Sequence, residues 1–294
     1  MPKKRITQMF PWLLPLRIKQ RLLFFYTGMY FDGNTYASFK SEQKLKYRVF
    51  EASSLLYNHH TGFDMQYQEN KVFNLKLAAQ MLNNLIIRPQ ETFSFWKAIR
   101  YADKKNPYKD GLVMVNGKLE VSPGGGMCQM SNLLFWIFLH TPLKIVERHG
   151  HSKKDFPDTS EDMPGGVDAT VAEGWLDLKV RNETDQSFQI SIDFDEENIT
   201  GCIFSDVEPE YFYDISNAKI FYYKENTKIF EEIDVVQKKI SAAKGECICS
   251  KVLYRNKCEI GYSLKPEIKI SEKGREKYGK IKYRRHIRRL FPRV

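Results

Sequence analysis

The run from Met127 to Leu139 constrains the fold more than any other part of the chain. Met127, Met130, Leu133, Leu134, Phe135, Trp136, Ile137, Phe138 and Leu139 leave little polar surface on any side, and Pro142 stops the run. Such a segment reads as a helix that must be covered nearly all round. It is too short to span a bilayer, and no window of eighteen uninterrupted apolar residues exists elsewhere. The rest of the chain must therefore supply the layers that bury it. Pro123-Gly-Gly-Gly126 stands immediately before it, so the helix begins abruptly out of a glycine-rich turn.

The flanking patterns indicate what those layers are. Leu45, Val49, Ala52, Leu55 and Leu56 recur at helical spacing over 41–58, as do Val72, Leu75, Ala78, Ala79, Leu82 and Leu85 over 72–86, with Pro89 beyond. A first, one-sided helix is expected over 15–25. From Glu91 the period changes to two: strands are expected over 91–96, 143–146, 167–171, 176–180, 188–194 and 199–204. Leu112 to Val121 reads as a hairpin around Asn116-Gly117, the pair preferred in a type I′ turn. The stretch 205–272 reads as short strand-like pieces. The expectation is an α+β fold, with N-terminal helices followed by a mostly antiparallel, β-rich domain around one buried central helix. The expected divisions are a basic helical region 1–70, a core domain 71–205, a β-rich extension 206–272 and a basic tail 273–294.

Charge is concentrated at the ends. Residues 1–21 carry six basic side chains and no acid, and residues 273–294 carry ten against the single Glu276, so a chain of net charge +10 has a negative body. A nucleic-acid-binding domain would carry basic charge on its folded face, which makes that partner the least favoured. Basic ends interleaved with apolar residues suit peripheral contact with an anionic membrane surface instead. The short, proline-broken stretch Phe10–Leu16 lacks the features of a signal peptide, and the expected location is the cytoplasm, including the inner face of the membrane.

Chemistry centres on Gly124-Gly125-Gly126-Met-Cys128-Gln129-Met-Ser131. A thiol at a helix N-terminus meets free N–H donors and a favourable dipole, so Cys128 is a candidate nucleophile; the alternative is a small core cysteine. A thiolate needs a base and a group to orient it. His151, within Arg148-His149-Gly-His151, is the preferred base, Asp168 the preferred orienter, and His149 the reserve. Gly124, Gly125, Gly126, Gln129, Ser131 and Arg148 are the candidate substrate or oxyanion contacts. No cofactor is expected. Cys247-x-Cys249-x8-Cys258 matches no zinc ribbon or finger, and His149-x-His151 lacks a third ligand, so no metal is expected either.

Several motifs also occur together: Lys71-Val-Phe-Asn-Leu-Lys-Leu-Ala-Ala79, Pro89-Gln-Glu-Thr-Phe-Ser-Phe-Trp-Lys97, Pro107-Tyr-Lys-Asp-Gly111, Gly124 to Phe135, Glu147-Arg-His-Gly-His-Ser152, Asp168-Ala-Thr-Val171 and Asp177 to Asn182. Their combination resembles the VanW family, with similarity over nearly the whole chain. The resemblance implies an accessory role in glycopeptide resistance or cell-envelope metabolism. Some VanW domains on secreted multidomain proteins carry L,D-transpeptidase activity, with the cysteine of Gly-Gly-Gly-x-Cys-Gln as nucleophile, and Cys128 matches that position. The implied partner is a peptidoglycan precursor or stem peptide. Two roles stay open, a cysteine-dependent acyl transferase and a non-enzymatic binding or scaffold protein.

Overall fold

Three sheets and a hairpin surround one apolar helix in the computed structural model, which describes residues 9–59, 61–115, 118–154 and 163–272. The basic tail, the first basic cluster Lys3-Lys4-Arg5 and the hairpin tip Asn116-Gly117 lie outside the described residues.

In chain order the elements are α1 (Leu14–Phe31), β1 (Thr35–Tyr36), β2 (Tyr47–Leu55), α2 (Gln66–Leu82), β3 (Ile86–Ile87), β4 (Glu91–Ser94), α3 (Phe95–Ile99), β5 (Asp110–Val115) and β6 (Lys118–Pro123). The central helix α4 (Met127–Leu139) follows. After it come β7 (Lys144–Glu147), β8 (Lys153–Lys154), β9 (Lys179–Arg181), β10 (Phe188–Phe194), β11 (Asn198–Ser205), β12 (Tyr211–Glu225), β13 (Lys228–Ser241), β14 (Cys247–Ile260) and β15 (Ile270–Ser271). The sheets run β1-β4-β9-β7, β2-β11-β10-β3 and β15-β12-β13-β14-β8, and β5 pairs with β6. Most neighbours are antiparallel; β1/β4, β12/β15 and β8/β14 are parallel. The α+β expectation describes this architecture.

Helix α4 fills the centre. Met130, Leu134, Phe135, Ile137 and Phe138 are essentially without exposure, and each such side chain contributes roughly 1.5–3 kcal/mol of burial. β2 and β11 pack against the helix, and Phe93 from β4 meets Phe138 edge-on at 5.1 Å. The long strands join the same core through Ile215, Ile233, Val235 and Tyr254.

The structure corrects several expectations. The segment 41–58 is not a helix. Tyr47–Leu55 is a strand paired along β11 from Tyr47↔Ser205 to Leu55↔Asn198, and Leu55, counted among the helical apolar positions, is 66% exposed. Pairing satisfies β11's backbone donors and acceptors and places Phe50 face to face with His140 at 3.5 Å; those tertiary gains override a spacing that suited either structure. Helix α2 begins at Gln66 and ends at Leu82, well before Pro89, because Asn83 is extended and Asn84 has φ +65°. The strand expected over 91–96 stops at Ser94, whose hydroxyl caps α3 by accepting from the Lys97 amide at 3.2 Å. Residues 167–171 form no ladder, and of the strand expected over 176–180 only Lys179 and Val180 join one, in β9, while Leu176 makes an isolated bridge with Ala172. The stretch after 205 is three long strands rather than short pieces.

Candidate active site

Cys128 stands in the first turn of α4, and the turn before it is shaped by its glycines. Gly126, the N-cap, has φ +106°, a conformation that L side chains rarely adopt. Gly125 is buried against β5: a Cβ there would lie 2.4 Å from the Gly111 carbonyl carbon and 2.6 Å from the Leu112 nitrogen. Asn74 of α2 ties the turn down, donating to Gly125 O at 3.1 Å and Lys109 O at 2.9 Å while accepting from the Lys109 amide at 2.8 Å. The glycines therefore admit neighbouring chain, and the turn aims the start of α4.

The segment 165–171 is laid along α4 by side chains. Asn132 Oδ1 accepts from the Ala169 amide at 2.7 Å and Ser131 Oγ donates to Ala169 O at 2.5 Å. Cys128 Sγ faces Val171 O at 3.8 Å. Arg148 grips the same segment from the other side. Its Nε donates to Asp168 O, one terminal nitrogen donates to Gly166 O at 3.0 Å and the other to Asn256 Oδ1 at 2.9 Å, while the guanidinium sits 4.4 Å over the Tyr254 ring. Helix α4, the loop after β7 and strand β14 thus all fix the position of Asp168.

Asp168 meets His151 through one oxygen. Oδ2 lies 2.8 Å from His151 Nδ1 and also accepts the His151 amide. Cys128 lies within hydrogen-bonding reach of the same ring. With Nδ1 committed to Asp168, Nε2 is the nitrogen left for the thiol. The order runs from solvent inward, His151 being 33% exposed and Asp168 19%. Burial disfavours a charged ring, but the hydrogen bonds and charges of Asp168 and Cys128 outweigh it and raise His151 to about 10. Burial likewise works against an ionised Asp168, and the bonds and charge of His151, with Arg148, hold its carboxyl below the usual value.

The other candidates fall elsewhere. His149 Nε2 pairs with Glu147 Oε1 at 3.0 Å, and Glu147 in turn pairs with Lys179 at 2.9 Å; that cluster surrounds buried Asp177, not Cys128. Ser131 is fully buried, and Arg148 spends its donors on the protein. Gln129 bridges to β2, donating to Leu55 O at 2.7 Å and to Ser54 Oγ at 3.0 Å, and its own amide bonds Gly126 O at 2.9 Å. Of the amides near Gly124, Gly125 and Gly126, those of Met127 and Cys128 are the ones a helix start leaves without an intrahelical acceptor.

Asn132, Asn256 and Asn74 are structural members of this site that sequence reasoning did not single out. A cleft of about 380 Å³ lies apart from it, lined by residues such as Pro142, Phe188, Tyr211 and Tyr213 and without cysteine or histidine. Cys247 and Cys249 are exposed near one end of β14 and Cys258 is buried near the other, which at ~3.3 Å per residue separates Cys258 from Cys249 by about 30 Å. The three cannot share one metal ion.

Comparison with known proteins agrees with the motifs that build this site. A family model described as VanW like protein matches residues 70–204, from α2 through β11. The vancomycin B-type resistance protein VanW of Enterococcus faecalis (strain ATCC 700802 / V583) is 55% identical over 272 residues, covering 92% of this chain and 99% of that protein. The uncharacterized protein YoaR of Bacillus subtilis (strain 168) is 32% identical over 122 residues, 42% of this chain and 39% of that protein. No solved structure matches the chain. With one relative aligned almost end to end and the Cys128 turn inside the matched domain, this chain belongs to the VanW family.

Proposed function

We propose that the chain is an accessory protein of glycopeptide resistance that acts as a cysteine-dependent acyl transferase on peptidoglycan stem peptides. The observation that carries this reading is the line Cys128, His151, Asp168 at the start of α4. The Cys128 thiolate adds to a peptide carbonyl next to a D-residue, and the amides of Met127 and Cys128 receive the oxyanion. The C–N bond breaks as His151 gives its proton to the leaving amine. The acyl group is then held as a thioester. An acceptor amine or water attacks it, His151 takes the proton, and the thiolate departs. Asp168 keeps the ring in the tautomer and orientation both steps need.

The test is exchange of the C-terminal residue. Incubated with a stem tetrapeptide ending in D-alanine and a labelled amine acceptor, the full chain releases D-alanine and forms the labelled peptide; Cys128→Ser does neither, because a hydroxyl is far less nucleophilic at neutral pH. Equal exchange by both proteins defeats the proposal. A protein that binds the peptide and never exchanges it is the scaffold of the alternative reading.

The same proposal includes an anionic membrane surface as partner. Helix α1 buries only Tyr26 and Met29; Trp12, Leu16, Leu23, Phe24, Tyr30 and Phe31 are between 48% and 89% exposed, with Arg17, Lys19 and Arg21 on the same helix or beside it. Among the described residues no helix is long and apolar enough to cross a membrane, but this one suits lying on the surface. Vesicles containing anionic lipid are expected to sediment the full chain at low salt and to lose it when Trp12, Leu16, Phe24 and Phe31 are replaced by serine. Binding that survives those replacements assigns the contact to another part of the chain.

A further inference from the structure

Lys71 is a half-buried cation with no partner among the described residues. It projects from α2 onto the start of α4: a Cβ added at Gly126 would lie 2.4 Å from Lys71 Cγ and 3.4 Å from its Cδ. The stem is therefore seated on the N-cap of the helix that carries Cys128, two residues further on. The other deeply placed lysines have carboxylates: Lys154 reaches Glu231 at 3.0 Å and Lys179 reaches Glu147 at 2.9 Å. Lys71 has no hydrogen bond, ion pair or ring contact among the described residues, and burial alone acts on its charge, lowering it to about 8. A charge partly withdrawn from water without a counter-ion is costly to keep, and a bound anion relieves that cost.

Unsatisfied groups also occur in the segments that surround Cys128. Four buried side-chain polar atoms among the described residues have no hydrogen-bond partner, and three belong to the segments around Cys128: Tyr108 OH, Asp168 Oδ1 and Thr170 Oγ1. The Tyr108 ring packs against Gly124 in the turn that precedes Lys71's contact, with Cδ2 3.5 Å from where a Cβ would stand. Buried polar atoms are normally paired, so this clustering marks a place that a polar ligand completes. The helix start adds its own preference for negative charge.

We propose that Lys71 holds the free C-terminal carboxylate of the acyl donor, so that the residue released by Cys128 is the terminal one. The inference rests on the acyl-transfer reading only for the position of the scissile bond. Gly126, on which Lys71 lies, and Cys128 share one turn of helix, a separation comparable to the ~3.8 Å between consecutive Cα atoms of a peptide taken once or twice. A donor with its scissile carbonyl at Cys128 Sγ therefore places the carboxylate of the next residue near Lys71. An internal peptide bond would bring a neutral amide there and leave the lysine unpaired.

Binding and turnover separate this inference from the reaction. The probes are a stem tetrapeptide ending in D-alanine as free acid and the same peptide as C-terminal amide. In the full chain carrying Cys128→Ser, where no thioester forms, calorimetry is expected to show the free acid bound about 10- to 100-fold more tightly than the amide, as for a charge-assisted hydrogen bond. Adding Lys71→Met removes that preference, and Lys71→Arg keeps most of it. With Cys128 intact, Lys71→Met raises KM for the free acid by a similar factor, so that the ratio of KM for amide to KM for acid falls towards one. A preference that survives Lys71→Met, or no preference in the parent, overturns the inference; so does an equal loss for acid and amide, which marks a structural role. If the acid is preferred through Lys71 but no exchange occurs, the carboxylate seat stands and the acyl-transfer reading falls.

Discussion

Asp168→Asn lowers acyl transfer by about 10²- to 10⁴-fold with the fold intact, the effect expected when a base loses the group that orients it. The substitution is nearly isosteric. Oδ2 alone accepts both the amide and the ring of His151, while Oδ1 has no partner, so an amide nitrogen fits at the Oδ1 position and the backbone bond survives. What is lost is the charge that supports the imidazolium. Stability against pH reports this independently of activity. His151 is raised from an ordinary 6.5 to about 10, so its contribution is complete below 6.5 and lost as pH rises towards about 10. Asp168 is depressed from an ordinary 3.8, so its contribution is present above that value and lost as pH falls through its folded-state value. The pair is one interaction, felt at both limbs. In Asp168→Asn a plot of Tm against pH is expected to flatten on the alkaline side between 6.5 and 10 and to lose part of its acid slope. An alkaline limb unchanged from the parent contradicts the pairing.

Gly125→Ala destabilises the protein by about 3 kcal/mol or more, the upper range for forcing atoms into a close-packed site. The new methyl meets backbone on every side, at 2.4 Å and 2.7 Å from Gly111 atoms and 2.6 Å from the Leu112 nitrogen, and no rotamer change relieves it. The β5–β6 hairpin and the turn must separate, which also moves Cys128. Gly28, half-buried on α1 with nothing within 4 Å of its Cβ position, is the control: alanine there is neutral or gains up to about 1 kcal/mol of helix propensity. Urea denaturation of the two variants checks both. A Gly125→Ala protein within 0.5 kcal/mol of the parent contradicts the close approach.

What was legible in the sequence followed from local physics. Three glycines, a dense apolar run and Pro142 leave few choices for α4, and the thiol, histidine and carboxylate types of Cys128, His151 and Asp168 limit what chemistry could join them. What was not legible depended on distant chain. Leu45, Val49, Ala52 and Leu55 fit a helical period, and only the unpaired edge of β11 makes their segment a strand. Residues 167–171 look like a strand because they are extended, yet Ser131, Asn132 and Arg148 replace the ladder with side-chain bonds. The long β12 to β14 strands were obscured by charge, since Glu231, Glu232 and Asp234 interrupt the apolar pattern of β13, and it takes partners such as Lys154 and Arg255 to allow their burial. Lys71 stands just before the helix expected over 72–86, and its lack of a partner among the described residues is visible only once Gly126 lies beneath it. His149 and His151 differ by two residues and share a motif, and the structure separates them by partner, Glu147 for one and Asp168 for the other.

The most direct measurement is the mass of the protein itself during reaction with a stem tetrapeptide ending in D-alanine, quenched in acid and mapped by peptide. The account predicts one acyl group, the tetrapeptide less its terminal residue, attached to Cys128 by a thioester that hydroxylamine removes. The adduct is absent in Cys128→Ser and forms slowly in Asp168→Asn. An adduct on Cys202, Cys247, Cys249 or Cys258 in place of Cys128, or exchange that proceeds in Cys128→Ser, contradicts it.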